Sequence, residues 1–339
     1  VRALLSAILV SVAVVASAGL TAAMAPAAGL RPVVFGANTA GLEDETGLAL
    51  DRLTAEAGRT PKLIMYYRDW DETRLHALIT SQILGPILAR GATPMITWLP
   101  RLGSGDLVHQ PEYAPALIAA GARDAFVRKA AREAAAYGAP LFIRFAHEMN
   151  GAWSPWGAGV DGNTPAAYVA MWRHIVAIFR EEGATNVRWV WSPNVYNRGA
   201  VLSTVSATAF RPYYPGSSWV DYVALDGYNW GDLTGQGWRS FSEIFKYSYD
   251  KLVGLSRKPA MIAETASTEV GGDKAAWIRQ IPKVLRSQMP RVRAVIWFDR
   301  FKETNWDFAS SSSSLRAVRA ILRDPVLTGG VRRLLAAAR

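Results

Sequence analysis

The chain has 339 residues, half of them hydrophobic and 19% charged, enough apolar material for a large core and not the composition of a disordered chain. The absence of cysteine excludes disulfides, iron–sulfur clusters, thiolate zinc sites and cysteine nucleophiles, and four histidines leave little room for a multi-histidine metal centre. The formal charge of +10 is scattered, with its densest run from Arg316 to Arg339, which reads as a solvated helical end rather than a nucleic-acid surface.

Residues 3–28 carry no charge and are rich in Ala, Val and Leu. Arg2 supplies a minimal positive start, and Ala25-Pro26-Ala27-Ala28 offers a small-residue cleavage site. Residues 1–28 therefore read as a secretory signal peptide cleaved near residue 28, which implies a secreted protein. The competing reading is an uncleaved membrane or cell-envelope anchor, because the stretch is long enough to span a bilayer. Its Ala, Ser and Gly dilute the hydrophobicity and favour cleavage.

Short apolar runs then alternate with helical patterns. The runs lie at 33–37, 62–67, 94–98, 141–146, 187–191, 222–225, 260–263 and 294–297. Helices are expected at 45–57, 72–90, 115–137, 165–182, 241–255, 274–287 and 314–323, with a short one at 204–210. Thr164-Pro165 has the chemistry of a helix start, a cap followed by proline in the first turn. Eight such units over residues 29–325 predict an α/β fold, a single (β/α)8 TIM barrel, with residues 326–339 left as a basic C-terminal tail. A doubly wound open sheet is the structural rival, but no Gly-rich phosphate turn follows the first strand.

In such a barrel the active site is built where strands end. The fourth strand ends in Arg144-Phe145-Ala146-His147-Glu148, the sixth in Asp226-Gly227-Tyr228-Asn229-Trp230, the seventh in Ala263-Glu264-Thr265 and the eighth in Trp297-Phe298-Asp299. Glu148 and Glu264 thus face each other across one mouth. Two opposed carboxylates are the equipment of glycoside hydrolysis, one as acid and then base, the other as nucleophile. Arg144 points inward if the strand alternates, either to organise those carboxylates or as a structural ion pair. Tyr228 is placed to donate a hydrogen bond to Glu264; a partly buried tyrosine with a solvated hydroxyl is the alternative.

Other chemistries fail on inspection. His147-Glu148 begins a zincin-like HExxH, but Gly151 stands where the second histidine should be. There is no nucleophile elbow and no P-loop. His147 reads as a substrate-hydroxyl contact or as a histidine bonded beside a carboxylate, and His76, His109 and His174 receive no role. No metal or organic cofactor is expected.

The run from Arg144 to Gly157, RFAHEMNGAWSPWG, resembles the acid/base region of glycoside hydrolase family 26, best known for endo-β-1,4-mannanases. The resemblance implies a retaining (β/α)8 barrel with Glu148 as acid/base and Glu264, in Met261-Ile262-Ala263-Glu264-Thr265, as nucleophile. Tyr214-Pro215-Gly216, Val220-Asp221 and the block from Leu225 to Trp230 are similar to the family's strand-six region, whose tyrosine contacts the nucleophile. Trp297-Phe298-Asp299 with Lys302 and Trp306-Asp307 are similar to its strand-eight region. The likeness spans most of residues 30–323 but is concentrated in these four blocks. Ala266 stands where the family often has glycine, and Ser154 where it often has an aromatic or bulky residue. The family also contains β-1,3-1,4-glucanases and β-1,3-xylanases, so the motif fixes reaction type better than substrate.

Trp153, Trp156, Trp230 and Trp297 lie at or just after strand ends, where indoles can stack on pyranose faces. Trp153 and Trp297 are the foremost candidates, and Trp98 a further one. Asn150 and Asn194 are placed either to bond sugar hydroxyls or to hold loop backbone. The expectation is a secreted, monomeric, retaining endo-β-glycosidase whose partner is a polysaccharide, β-mannan first, with no protein or nucleic-acid partner. The alternatives are a mixed-linkage glucanase, a xylanase or surface-polysaccharide hydrolase, and a non-catalytic polysaccharide-binding barrel.

Overall fold

The computed structural model describes residues 31–42, 47–70, 81–196 and 210–338. Eight parallel strands close into a barrel in chain order: β1 (Val34–Thr39), β2 (Leu63–Asp69), β3 (Thr93–Leu99), β4 (Leu141–Phe145), β5 (Val187–Trp191), β6 (Tyr222–Asn229), β7 (Ala260–Ser267) and β8 (Val292–Asp299). Every expected strand is present. Buried on both faces, they read as continuous apolar runs. Alternation sends one set of side chains, including Val34, Leu63, Met95, Phe142, Met261 and Ile296, into the barrel interior, and the other outward against the helices.

The surrounding helices are α1 (Leu48–Ala57), α2 (Ser81–Ala89), α3 (Pro115–Ala119), α4 (Asp124–Tyr137), α5 (Pro165–Glu181), α6 (Phe241–Leu255), α7 (Lys274–Ser287), α8 (Ser312–Ile321) and α9 (Val331–Ala337). Thr164 caps α5 as expected, its hydroxyl accepting from the amide of Ala167 at 3.2 Å. The helix expected over 115–137 is two helices, because the chain passes through Gly121 at φ 95°, a conformation in which an L side chain is strained. The signal peptide at 1–28, the first part of the helix expected at 72–90, nearly all of the short helix expected at 204–210, and His76 lie outside the described residues.

The described part of the expected tail, residues 326–338, is not the solvated segment expected from its charge. It belongs to the same compact unit as the barrel. The amide of Val33 donates to the carbonyl of Val326 at 2.6 Å, and that of Gly329 to Val33 at 3.0 Å. Helix α9 then lies under the N-terminal end of the barrel, with Val331, Leu334, Leu335 and Ala338 packed on the interior cluster. Tyr222, at the floor of the barrel, donates its hydroxyl to the carbonyl of Leu334 at 2.7 Å. Arg332 and Arg333 remain exposed. The charge is real, but helical spacing puts it on one face and leaves an apolar face to plug the barrel.

Leu334 is therefore a core residue. Leu334→Ala should destabilise the fold by about 2–4 kcal/mol in urea unfolding, through lost burial and the cavity left behind. Because the floor lies at the opposite end of the barrel from the strand ends, ligand binding by the folded fraction should be unchanged.

Candidate active site

At the C-terminal ends of the strands lies a cleft of about 1070 Å³, lined by both Glu148 and Glu264. Strand alternation carries Arg144 inward, fully buried, where its guanidinium meets three strands. Its Nε donates to Thr97 Oγ1 at 3.0 Å, one terminal nitrogen donates to Asp226 Oδ2 at 2.8 Å, and the other donates to Glu264 Oε1. Asp226 also accepts from Ser192 Oγ at 2.8 Å. Arg144 is held above the usual arginine range: burial pulls it down, but the carboxylates of Asp226 and Glu264 override that.

Glu264 lies within β7 rather than after it. The pairing of β7 with β8 shifts between Ile262 and Thr265. This irregularity brings Glu264 to the interior side, where Ala263 also points. There Glu264 accepts from three donors: Arg144, the hydroxyl of Tyr67, and the hydroxyl of Tyr228 at 2.5 Å. Both tyrosines are pushed well above the usual phenol range by burial and by the charge of Glu264, so they remain neutral donors.

Glu148 is aimed differently. Regular backbone ends at Phe145, and Ala146 and Glu148 both take positive φ, 40° and 53°. Such residues are held by their surroundings: Ala146 N donates to Trp98 O at 3.0 Å and Glu148 N to Ser192 O at 2.7 Å. The half-buried Glu148 carboxylate accepts from Asn194 Nδ2 and Trp153 Nε1, each at 2.7 Å. Burial and the negative charge of Glu264 raise its pKa to about 7, against the smaller downward pull of those donors and Arg144. The Trp153 ring lies directly over Gly151, where a Cβ would collide with the indole, so glycine is required for that hydrogen bond.

Of the residues singled out in the sequence, His147, Trp153 and Tyr228 line the cleft beside the two glutamates, and Arg144 lies beneath it. Trp153 is 40% exposed and free to stack. His147 is neutral, its pKa pushed well below the usual range by burial and by the nearby Arg144, Arg101 and Lys302. Trp230 also lines the cleft.

Four expected substrate contacts are not at the surface. Trp297 is fully buried because alternation turns it outward: its indole donates to Trp306 O at 3.0 Å and packs against Trp277 of α7, while the next residue, Phe298, faces the cleft. Trp98 likewise points outward, packed against Trp70, Phe145 and Phe179. Trp156 is buried beneath the loop and donates to His147 O at 2.7 Å. Asn150, also buried, exchanges hydrogen bonds at 2.9 Å with the backbone of Asn194, so it positions the asparagine that holds Glu148.

The sequence reasoning missed Tyr67 and the role of Asp226. Alternation within β2 would have found Tyr67, since Leu63 and Met65 on the same face point inward. Its pairing with Glu264 joins residues 197 positions apart and has no local signal.

The protonation of Glu148 is open to direct test. Below about pH 7 it is protonated and able to donate; above, it ionises. Glu264→Gln removes the charge that raises its pKa and should lower it. Trp153→Phe removes a donor that favours the ionised form and should raise it. Titration of 13C-labelled glutamate carboxyls by NMR reads both shifts, and movement in the opposite direction in either variant would refute the coupling.

Comparison with known proteins bears on this site. Residues 123–278 match the model of glycosyl hydrolase family 26. Endoglucanase H of Acetivibrio thermocellus is 40% identical over 233 residues, covering 68% of this chain and 24% of that protein. Mannan endo-1,4-beta-mannosidase A and B of Caldalkalibacillus mannanilyticus is 31% identical over 186 residues, covering 52% and 32%. The chain thus spans about a quarter to a third of the length of these relatives. Among solved structures, the catalytic domain of an endo-beta-1,4-mannanase from a Bacillus species superposes with a TM-score of 0.67 at 16% identity, covering 88% of this chain and 87% of that one. A Cellulomonas fimi endo-beta-1,4-mannanase double mutant gives 0.65 at 17% identity, covering 91% and 74%, and both likenesses concern the fold. With the cleft chemistry lying within and around the matched segment, the chain belongs to glycosyl hydrolase family 26.

Proposed function

We propose that the protein is a retaining endo-β-glycosidase. The observation that carries this reading is the asymmetry of the two glutamates. Glu264 accepts from a guanidinium and two phenols, which fix the position of its carboxylate in the cleft as a nucleophile needs. Glu148 has a pKa raised to about 7, as a general acid working near neutrality needs.

In the proposed cycle Glu148 protonates the glycosidic oxygen while Glu264 Oε2 or Oε1 attacks the anomeric carbon. The C–O bond to the leaving sugar breaks and a glycosyl–Glu264 ester forms. Loss of the Glu264 charge on esterification lowers the pKa of Glu148, which then acts as base, takes a proton from water and directs the hydroxyl to the anomeric carbon. Glu264 leaves as carboxylate and Glu148 regains its proton. Tyr67 and Tyr228 follow Glu264 through the cycle as neutral donors, and Trp153 couples Glu148 to a stacking face in the same residue. Neutral His147 offers a ring nitrogen to a sugar hydroxyl without adding a second positive charge beside the acid.

The substrate is a β-linked polysaccharide, and β-1,4-mannan is the first choice, supported by the names of several relatives. A β-glucan is the second reading, supported by the 40% identity to a protein named endoglucanase H. The cleft volume of about 1070 Å³ lies just above the roughly 300–1,000 Å³ range of small-molecule sites, which suits a polymer. Export of the protein is part of the proposal and rests on residues 1–28.

Reducing-sugar release from mannan, glucomannan, mixed-linkage β-glucan and β-1,3-xylan tests the reading. Release from one polymer, lost in both Glu148→Ala and Glu264→Ala, is the expected outcome. Silence of the folded protein on all four overturns it. The roles separate on activated aryl glycosides, whose leaving group needs no proton. There Glu148→Ala should keep its first step, while on polymer it loses about 10²–10⁴-fold, and Glu264→Ala should lose both.

A further inference from the structure

Lys274 is the first residue of α7 and is fully buried. Both facts run against electrostatics: a helix N-terminus repels a cation, and a buried ammonium loses its hydration. It does not line the cleft and has no part in the chemistry above. Its Nζ donates to the carbonyl of Asp307 at 2.6 Å and to Ser310 Oγ at 2.8 Å, with the carbonyl of Asn305 at 3.5 Å. The carbonyl between them, that of Trp306, accepts from the buried indole of Trp297 at 3.0 Å. Three successive carbonyls of the loop joining β8 to α8 are thus turned into the protein. Glu269 balances the charge one step away, accepting from Ser310 at 2.7 Å and from Ser314 at 2.8 Å.

With its backbone inverted in this way, the loop presents the Trp306 ring to the cleft side. Its centroid lies 5.1 Å from Tyr228 and 4.9 Å from Trp230. Tyr228 in turn donates to Glu264 at 2.5 Å. The same loop carries Phe301, Lys302 and Glu303 on the cleft wall, Phe301 being 76% exposed.

We propose that Lys274 is a positioning residue for the reaction: its buried ammonium fixes the inverted β8–α8 loop, and through Trp306 it seats Tyr228 against the nucleophile Glu264. The proposal rests on the glycosidase reading for its kinetic consequence, and on the loop geometry alone for its structural one.

The test is a double-mutant cycle. Lys274→Met keeps the length and removes the charge; Trp306→Phe acts at the other end of the chain of contacts. Each single variant should lower the rate of glycosyl–enzyme formation per active site about tenfold, with active sites counted by titration with a 2-deoxy-2-fluoro glycoside. The double variant should fall little further, because both break one path. Lys274→Met combined with Trp153→Phe, on the opposite wall, should instead multiply. The high-pH limb set by Glu148 should stay in place in Lys274→Met, since the lysine acts on the Glu264 side. A merely structural lysine would lower the count of active sites and leave the rate at each one unchanged. That result, or full multiplication of the Lys274 and Trp306 effects, overturns the proposal. If Lys274→Met does not fold, Ser310→Ala, which removes one acceptor and keeps the charge, takes its place in the cycle under the same criteria. Hydrogen exchange across residues 300–308 separates the two claims. Faster exchange in the variant with no wild-type activity on any glycan would sink the glycosidase reading and leave the loop anchor standing, whereas unchanged exchange would sink the anchor itself.

Discussion

One buried guanidinium organises this protein's cleft. Arg144 has no access to water and must find all its partners inside the barrel. It finds Thr97 on β3, Asp226 on β6 and Glu264 on β7. A buried cation left without a carboxylate costs about 3–5 kcal/mol, so these strands can meet only in the arrangement that supplies both acids. The ion-pair and carboxylate-organising readings of Arg144 are therefore one arrangement: the pair with Asp226 fixes the guanidinium, and the fixed guanidinium holds Glu264.

From that centre the two glutamates acquire different environments. Glu264 is enclosed by three donors, Arg144, Tyr67 and Tyr228. Glu148 sits on a loop of unusual backbone, half-buried, with the charge of Glu264 pushing its own proton affinity upward. The charge of Glu264 thus helps Glu148 hold its proton. The surrounding residues support this division. Asn150 holds Asn194, which holds Glu148. On the far side, Trp306 packs on Tyr228, which bonds Glu264. Aromatic residues that looked like sugar platforms, Trp156 and Trp297, work instead as buried donors to loop carbonyls.

The rest of the barrel fixes these groups from below. Apolar strands buried on both faces leave little room for water beneath Arg144, and α9 closes the opposite end. The polar network stands above this floor, where strand ends from all around the barrel converge within reach of one another.

The eight strands, the barrel closure they require, the helix start at Thr164 and the positions of the two glutamates were legible in the sequence, because each is written in local pattern: apolar runs of strand length, a cap before a proline, and a carboxylate following an apolar run. The burial of Trp297 is also written there, since strict alternation from Ile296 sends it outward and Phe298 inward. Tertiary structure alone decided the rest. The shifted pairing in β7 that turns Glu264 inward depends on its neighbours in β6 and β8, and the positive φ at Ala146 and Glu148 is held by carbonyls of other segments. The helical face of 326–339 acquires meaning only when there is an open barrel end for it to cover. Tyr67 and Glu264, or Lys274 and the carbonyls it gathers, are partners because a closed barrel brings distant chain segments within 3 Å of each other, and no spacing along the chain encodes that distance.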